Sequence, residues 1–221
     1  MPTATLSHPS AWKAPARFPD KPIMAGPAIF SSLVDGQWIC QPKWDGWRCM
    51  TTVNDDGLMF ATRHMKPCPV SPALSETLAP VLAKLPPGTL LDGEWMARRA
   101  GNAQGEEHMV FFDLMRLGMN WVVDRPTINR FDILCDLVPP ELLVEHSLSG
   151  YAAMFERSKR DPRVEGIVLK HVSSKFKGST RSCYVNPLFL KNKISRRMRR
   201  RKACRLTTGT PLRPPCARFG S

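Results

Sequence analysis

The chain has 221 residues, of which 43% are hydrophobic and 23% charged. That is enough chain to bury a core, and ordinary globular composition, so wholesale disorder is excluded. No apolar run reaches bilayer length, and the first 22 residues lack the apolar centre of a signal peptide. A cytoplasmic, membrane-free protein is expected. The formal net charge of +13 is uneven. Lys191–Ser221 hold eleven Lys/Arg and no Asp/Glu, whereas the first 190 residues hold 21 basic and 19 acidic side chains. The body is therefore nearly neutral, and the tail is drawn to polyanions. The seven cysteines are scattered without a C-x-x-C pair, which argues against a zinc ribbon or a disulfide framework.

Residues 1–28, rich in Pro, Ala and Ser, read as an extended lead-in whose Pro22–Gly26 segment can pack on the body. Strands are predicted at 37–43 and 47–53 around a glycine turn, and Asn54-Asp55-Asp56-Gly57 signals a hairpin. Ser71-Pro72 followed by Leu74, Leu78, Val81, Leu82 and Leu85 predicts an amphipathic helix. Ser71 is its N-cap, Pro72 its first residue, and Pro86-Pro87-Gly88 its stop. Strands at 89–97 and 108–114 come next, then a helix at 127–138, a short strand at 142–145 and a helix at 150–160. Strands at 164–170 and 187–193 close the body. Strands and helices mix without a βαβ rhythm, so the expected class is α+β, with mainly antiparallel sheets and flanking helices. Residues 194–221 read as a basic, disordered tail.

Four short segments carry the candidate chemistry. In Lys43-Trp44-Asp45-Gly46-Trp47-Arg48, a lysine sits where one strand turns into the next, and glycine permits the tight turn. In Asp92-Gly93-Glu94, two carboxylates share one strand face, costly unless cations or a metal pair with them. In Glu165-Gly166, an acid opens a β-branched strand. Lys191 and Lys193 share one face of the last strand. Taken singly, each also reads as surface.

In order along the chain, Lys43-x-Asp45-Gly46-x-Arg48, Arg63, Asp92-Gly93-Glu94, Phe112-Asp113, Glu165-Gly166 and Lys191-x-Lys193 resemble the motif series of the covalent nucleotidyltransferases. These comprise the ATP-dependent DNA ligases, the RNA ligases and the mRNA capping enzymes. Phe111-Phe112-Asp113 through Gly118, with Arg130, is most similar to the phage and bacterial DNA ligases. The resemblance spans about residues 23–193. It implies a nucleotidyltransferase (ATP-grasp-like) domain over residues 29–193.

It further implies that Lys43 attacks the α-phosphate of ATP and leaves a lysyl-AMP, with Asp45 in the same catalytic turn. A free lysine has a pKa of about 10.4, so about one in 2,500 is neutral at pH 7. The site must lower that pKa or take the proton. Glu94 and Glu165 are implied to hold Mg²⁺ or Mn²⁺ and to restrain the nucleotide. Phe112 would stack on adenine, with Phe111 as the alternative. Arg48 and Arg63 would meet the ribose or phosphates, and Lys191 and Lys193 would neutralise the α-phosphate. Gln41 stands where many relatives carry a Glu that reads the adenine amino group.

The implied acceptor is nicked double-stranded DNA, with the basic tail contributing and the protein acting as a monomer. Relatives continue into an OB-fold, and the 28 residues after Lys193 are too few for one. A truncated ligase, a minimal ligase that uses its tail, and a remnant that binds without sealing are the three expectations. An RNA ligase is the enzymatic alternative.

Overall fold

The computed structural model describes residues 18–97, 107–178 and 184–194. Two sheets form the body. The first has the order β1 (Lys21–Met24), β9 (Val185–Lys193), β8 (Val164–His171), β2 (Trp38–Trp44). The second has the order β4 (Gly57–Thr62), β3 (Trp47–Asn54), β5 (Leu90–Met96), β6 (His108–Leu117), β7 (Asn120–Trp121). Among the described strands only β1 on β9 is parallel. The α+β, mainly antiparallel expectation holds.

The helix signals act as read. In α1 (Pro72–Leu82), the Leu74 N–H donates to Ser71 Oγ at 3.2 Å, and Pro72 begins the first turn. Leu74, Leu78 and Leu82 are buried at four-residue spacing. Together with Phe131 and Leu134 of α2 (Thr127–Leu137), they join a core that includes Leu91 and Phe111 of the second sheet. The third helix, α3 (Tyr151–Ser158), buries Tyr151, Met154 and Phe155 against Cys40, Ile167 and Leu169 of the first sheet. Each sheet thus has one face sealed by helices, and the other face is left for the partner sheet.

Two features differ from expectation. Residues 142–145 are not a strand: a 3-10 turn covers Pro140–Leu142, and Leu143 makes a single bridge to Phe111. Pro139 and Pro140 lack ladder N–H groups and fix the backbone in a turn. The lead-in also contributes a strand. β1 adds a parallel edge to β9, and the Lys21 N–H donates to Tyr184 O at 2.7 Å. Residues 1–17 and the tail from 195 lie outside the described residues. Cys40, Cys49, Cys68 and Cys135 are free thiols. No described helix is long and apolar enough to cross a membrane.

Candidate active site

β2 and β3 are consecutive in sequence but belong to different sheets. The turn between them is therefore no hairpin: it crosses from one sheet to the other, and Lys43 stands at the crossing. The Asp45 N–H donates to Arg163 O at 2.8 Å and the Gly46 N–H to Glu94 Oε1 at 3.1 Å. A Cβ on Gly46 would lie 2.5 Å from Trp95 O, so a side chain there would displace backbone. Glycine is required by close approach.

Across the first sheet, side chains fall into three rows. Lys43 pairs with Gly166, which pairs with Lys193. Gln41 pairs with Val168, which pairs with Lys191. Ile39 pairs with Lys170, which pairs with Phe189. The two-residue period puts all three rows on one face. Gly166 is left-handed at φ +151°, and a Cβ there would lie 1.9 Å from Asn192 O. With no side chain between them, Lys43 and Lys193 both reach Glu165. Lys43 Nζ pairs with Glu165 Oε1, and Lys193 Nζ donates to Oε2 at 2.8 Å. Burial would raise the Glu165 pKa, but the two lysines hold it below the usual carboxylate range. Burial, then the charges of Lys193 and Lys43, lowers that of Lys191.

The second sheet supplies the facing wall. In the β5–β6 ladder, Asp92 pairs with Asp113 and Gly93 with Phe111, which leaves Phe112 as the extra residue of a bulge. The bulge separates three consecutive side chains. Phe111 is fully buried in the core, Phe112 lines the cleft, and Asp113 is buried under it. The unpaired Phe112 carbonyl accepts from Lys170 Nζ at 3.0 Å and Gln41 Nε2 at 3.4 Å. Lys170 also donates to Asp113 Oδ2 at 3.0 Å, and Arg130 holds the same carboxylate at 2.9 and 3.2 Å. Burial would raise the Asp113 pKa, yet Arg130 and Lys170 bring it down to about 2. Arg48 lies beside the Phe112 ring, 5.5 Å from its centroid. Its guanidinium is held by Asp92 and by the Asp20 carbonyl. Burial pushes the Glu94 pKa up to about 7, against the charges of Lys43 and Arg48.

The walls enclose a cleft of about 670 Å³. Gln41, Lys43, Arg48, Arg63, Glu94, Phe112, Lys191 and Lys193 line it; Glu165 lies behind Lys43, and Asp45 in the turn. Arg63 is exposed at the rim, its Nε 3.2 Å from His64 Nε2. Sequence reasoning left out Asp20, Lys170, Trp47, His64 and Lys66, which also line the cleft. Lys170 had a legible signal, since it alternates with Val168 on the strand that Glu165 opens.

For a divalent cation the donor set is sparse. Among the described residues no three His, Cys, Asp or Glu side chains converge. Glu94 and Glu165 each already accept from protein donors. Magnesium commonly takes one or two carboxylates and fills its shell with phosphate oxygens and water. These residues fit an ion that arrives with a nucleotide.

No protein-family model and no curated protein matches the chain. Solved structures do. The ligase domain of M. tuberculosis LigD aligns at TM-score 0.64 and 18% identity, over 80% of this chain and 60% of that one. A mycobacterial DNA ligase D complexed with ATP and MES aligns at TM-score 0.61 and 18% identity, over 80% and 60%. A Lig E DNA ligase, described as binding DNA with a minimal scaffold, aligns at TM-score 0.53 and 16% identity, over 81% and 69%. This likeness establishes the nucleotidyltransferase fold of ATP-dependent DNA ligase adenylation domains. The chain spans about three fifths of the two ligase D structures.

Proposed function

We propose that the chain works as the adenylation domain of an ATP-dependent polynucleotide ligase whose acceptor is nicked duplex DNA. One observation carries the reading: motif residues spread over the whole body converge on a single cleft, with Lys43 at the crossing of its two walls. The adenylation unit is taken as residues 29–193 with β1 added, acting as a monomer.

ATP enters with its base toward Phe112 and its phosphates toward Lys43, Lys191 and Lys193. Phe112 stacks on the adenine, and the Gln41 amide meets its edge. Arg48, immobilised by Asp92 and Asp20, faces the ribose, and Arg63 meets phosphate at the rim. Glu165 Oε1, paired with Lys43 Nζ, holds the amine in line with the α-phosphorus, and the ammonium proton is lost to solvent before attack. The freed amine attacks the α-phosphorus, the bond to the β-phosphate oxygen breaks, and pyrophosphate leaves as the phosphoramide forms. Asp45 fixes the turn that presents the amine. Lys191 and Lys193 meet the charge that grows on the α-phosphate oxygens. When bound, Mg²⁺ or Mn²⁺ neutralises phosphate charge, and Glu94 and Glu165 are the carboxylates that would hold it. AMP then passes from Lys43 to a 5′-phosphate. A 3′-hydroxyl attacks that phosphate, forms the phosphodiester and releases AMP. Nine Lys/Arg after Lys193 add salt-sensitive contacts to the DNA backbone.

The test is labelling with α-labelled ATP and, separately, GTP, followed by a denaturing gel. One acid-labile AMP on Lys43 is expected, with no label in Lys43→Ala. Label that survives in that variant removes the proposal. Transfer to a nicked RNA but not to a nicked DNA reassigns the acceptor.

A further inference from the structure

Asp20 enters these steps only through its backbone, whose carbonyl accepts from Arg48 Nη1 at 2.8 Å. Its carboxylate is a separate matter. The residue is 1% exposed, and burial raises its pKa against the hydrogen bonds and charges around it. Oδ2 accepts from the Lys177 N–H at 2.9 Å and from Asn186 Nδ2 at 2.7 Å. Oδ1 has no hydrogen-bond partner among the described residues. A buried, half-satisfied carboxylate is costly. What it joins accounts for its presence.

Asn186 is buried as well. Its amide donates a second time, to Lys175 O at 3.0 Å, and its Oδ1 accepts from the Leu188 N–H at 3.0 Å. The Asp20 carboxylate is thereby anchored at the start of β9, the strand that ends in Lys191 and Lys193. The carbonyl of the same residue holds Arg48, which belongs to β3 in the other sheet. On Arg48 this bond has no substitute: Nε and Nη2 are spent on Asp92, and among the described residues Nη1 has the Asp20 carbonyl as its one acceptor.

The ladder alone is a short tether for that carbonyl. β1 has four residues, and its register on β9 shifts after Pro22. The Lys21 N–H, in the same peptide plane as the Asp20 carbonyl, donates to Tyr184 O at 2.7 Å. The carboxylate adds a second anchor one residue earlier.

We propose that Asp20 is a positioning residue for the donor nucleotide: its carboxylate, clasped by Lys177 and Asn186, holds the carbonyl that aims Arg48 at the ribose, in register with Lys191 and Lys193. This rests on the ligase reading above. The ribose does not react, so a loosened Arg48 removes binding that ground and transition states share. That raises the half-saturating ATP concentration and spares the limiting rate. A clasp that served stability alone would do the reverse, lowering the active fraction and leaving half-saturation where it was.

The experiment follows self-adenylylation of the full chain against ATP concentration. Affinity for α,β-methylene-ATP, which cannot transfer AMP, is measured in parallel by equilibrium dialysis. Asp20→Ala is expected to raise half-saturation and the analogue's Kd about tenfold, with the limiting rate within about threefold of the parent. Asp20→Asn should stay near the parent, because its amide oxygen still accepts from Lys177 and Asn186. In an Arg48→Lys background, Asp20→Ala should add less than about threefold, since it acts through Arg48. Asn186→Ala cuts the clasp from the other side, and the same rise is expected there should Asp20→Ala not fold.

Half-saturation within twofold of the parent in the folded alanine variants overturns the proposal. So does a fallen limiting rate at unchanged half-saturation, and so does a full tenfold loss in the Arg48→Lys background. A parent that takes no label, but whose analogue affinity follows the expected pattern, refutes the ligase reading and leaves Asp20 its role. A parent that neither takes label nor binds the analogue overturns both.

Discussion

Asp113 and Glu165 are both carboxylates gripped by two cationic side chains, and both border the cleft. Around Asp113 the grip is sealed: Arg130 is 0% exposed and Lys170 5%. Around Glu165 it is open, with the side chains of Lys43 and Lys193 24% and 39% exposed. In the sealed cluster Arg130 and Lys170 both donate to Asp113, and Lys170 also fixes the Phe112 carbonyl. The open cluster can exchange partners, because a phosphate oxygen offers its lysines what Glu165 offers them. The same pairing of charges builds a wall in one place and a reactive end in the other, and burial makes the difference.

Removing each carboxylate tests this contrast. Asp113→Ala strands two buried cations, and breaking buried pairs of this kind costs about 3–5 kcal/mol. Urea denaturation should show a loss of that order, or no folded protein. A loss under about 1 kcal/mol would mean that water reaches the cluster, and the contrast would fail. Glu165→Ala should cost about 1 kcal/mol or less in stability, since its lysines remain solvated. It should slow self-adenylylation at least tenfold. A folded variant with near-normal labelling would return Glu165 to a surface strand.

The open end was more legible in the sequence than the sealed one. Lys43 three residues before Gly46, Glu165 beside Gly166, and Lys191 and Lys193 two apart are short segments that each read as surface alone, and it is their order along the chain that made them legible. Helix α1 was legible by itself, since its cap and period are local. Phe112 was legible as one of two neighbours, but the bulge that chooses between them arises from pairing with β5. The sealed cluster brings together β6, α2 and β8, and no short-range pattern links Asp113 to Lys170. The parallel strand β1 escaped because it joins residues from opposite ends of the body without a turn to announce it. Asp20, which supports Arg48 through its carbonyl, escaped with it.

Glu94 stands between the two extremes and gives the smallest and sharpest effect. Burial raises its pKa from 4.5 to about 7. In the unfolded chain the proton leaves near 4.5, whereas in the folded chain it stays until about pH 7. Between those values the folded state binds more protons, so stability falls as pH rises through the window and is flat above it. Glu94→Gln still accepts from the Gly46 N–H but does not titrate. Nucleotide-free parent and variant, unfolded in urea at steps from pH 5 to about 8, should therefore diverge. The variant gains on the parent until about pH 7, and the gap then holds constant. Parallel curves would mean that Glu94 is solvated like the lysines at the open end. The dry wall would then stop at Arg48, and the boundary between sealed and open would run one strand deeper, on the far side of β5.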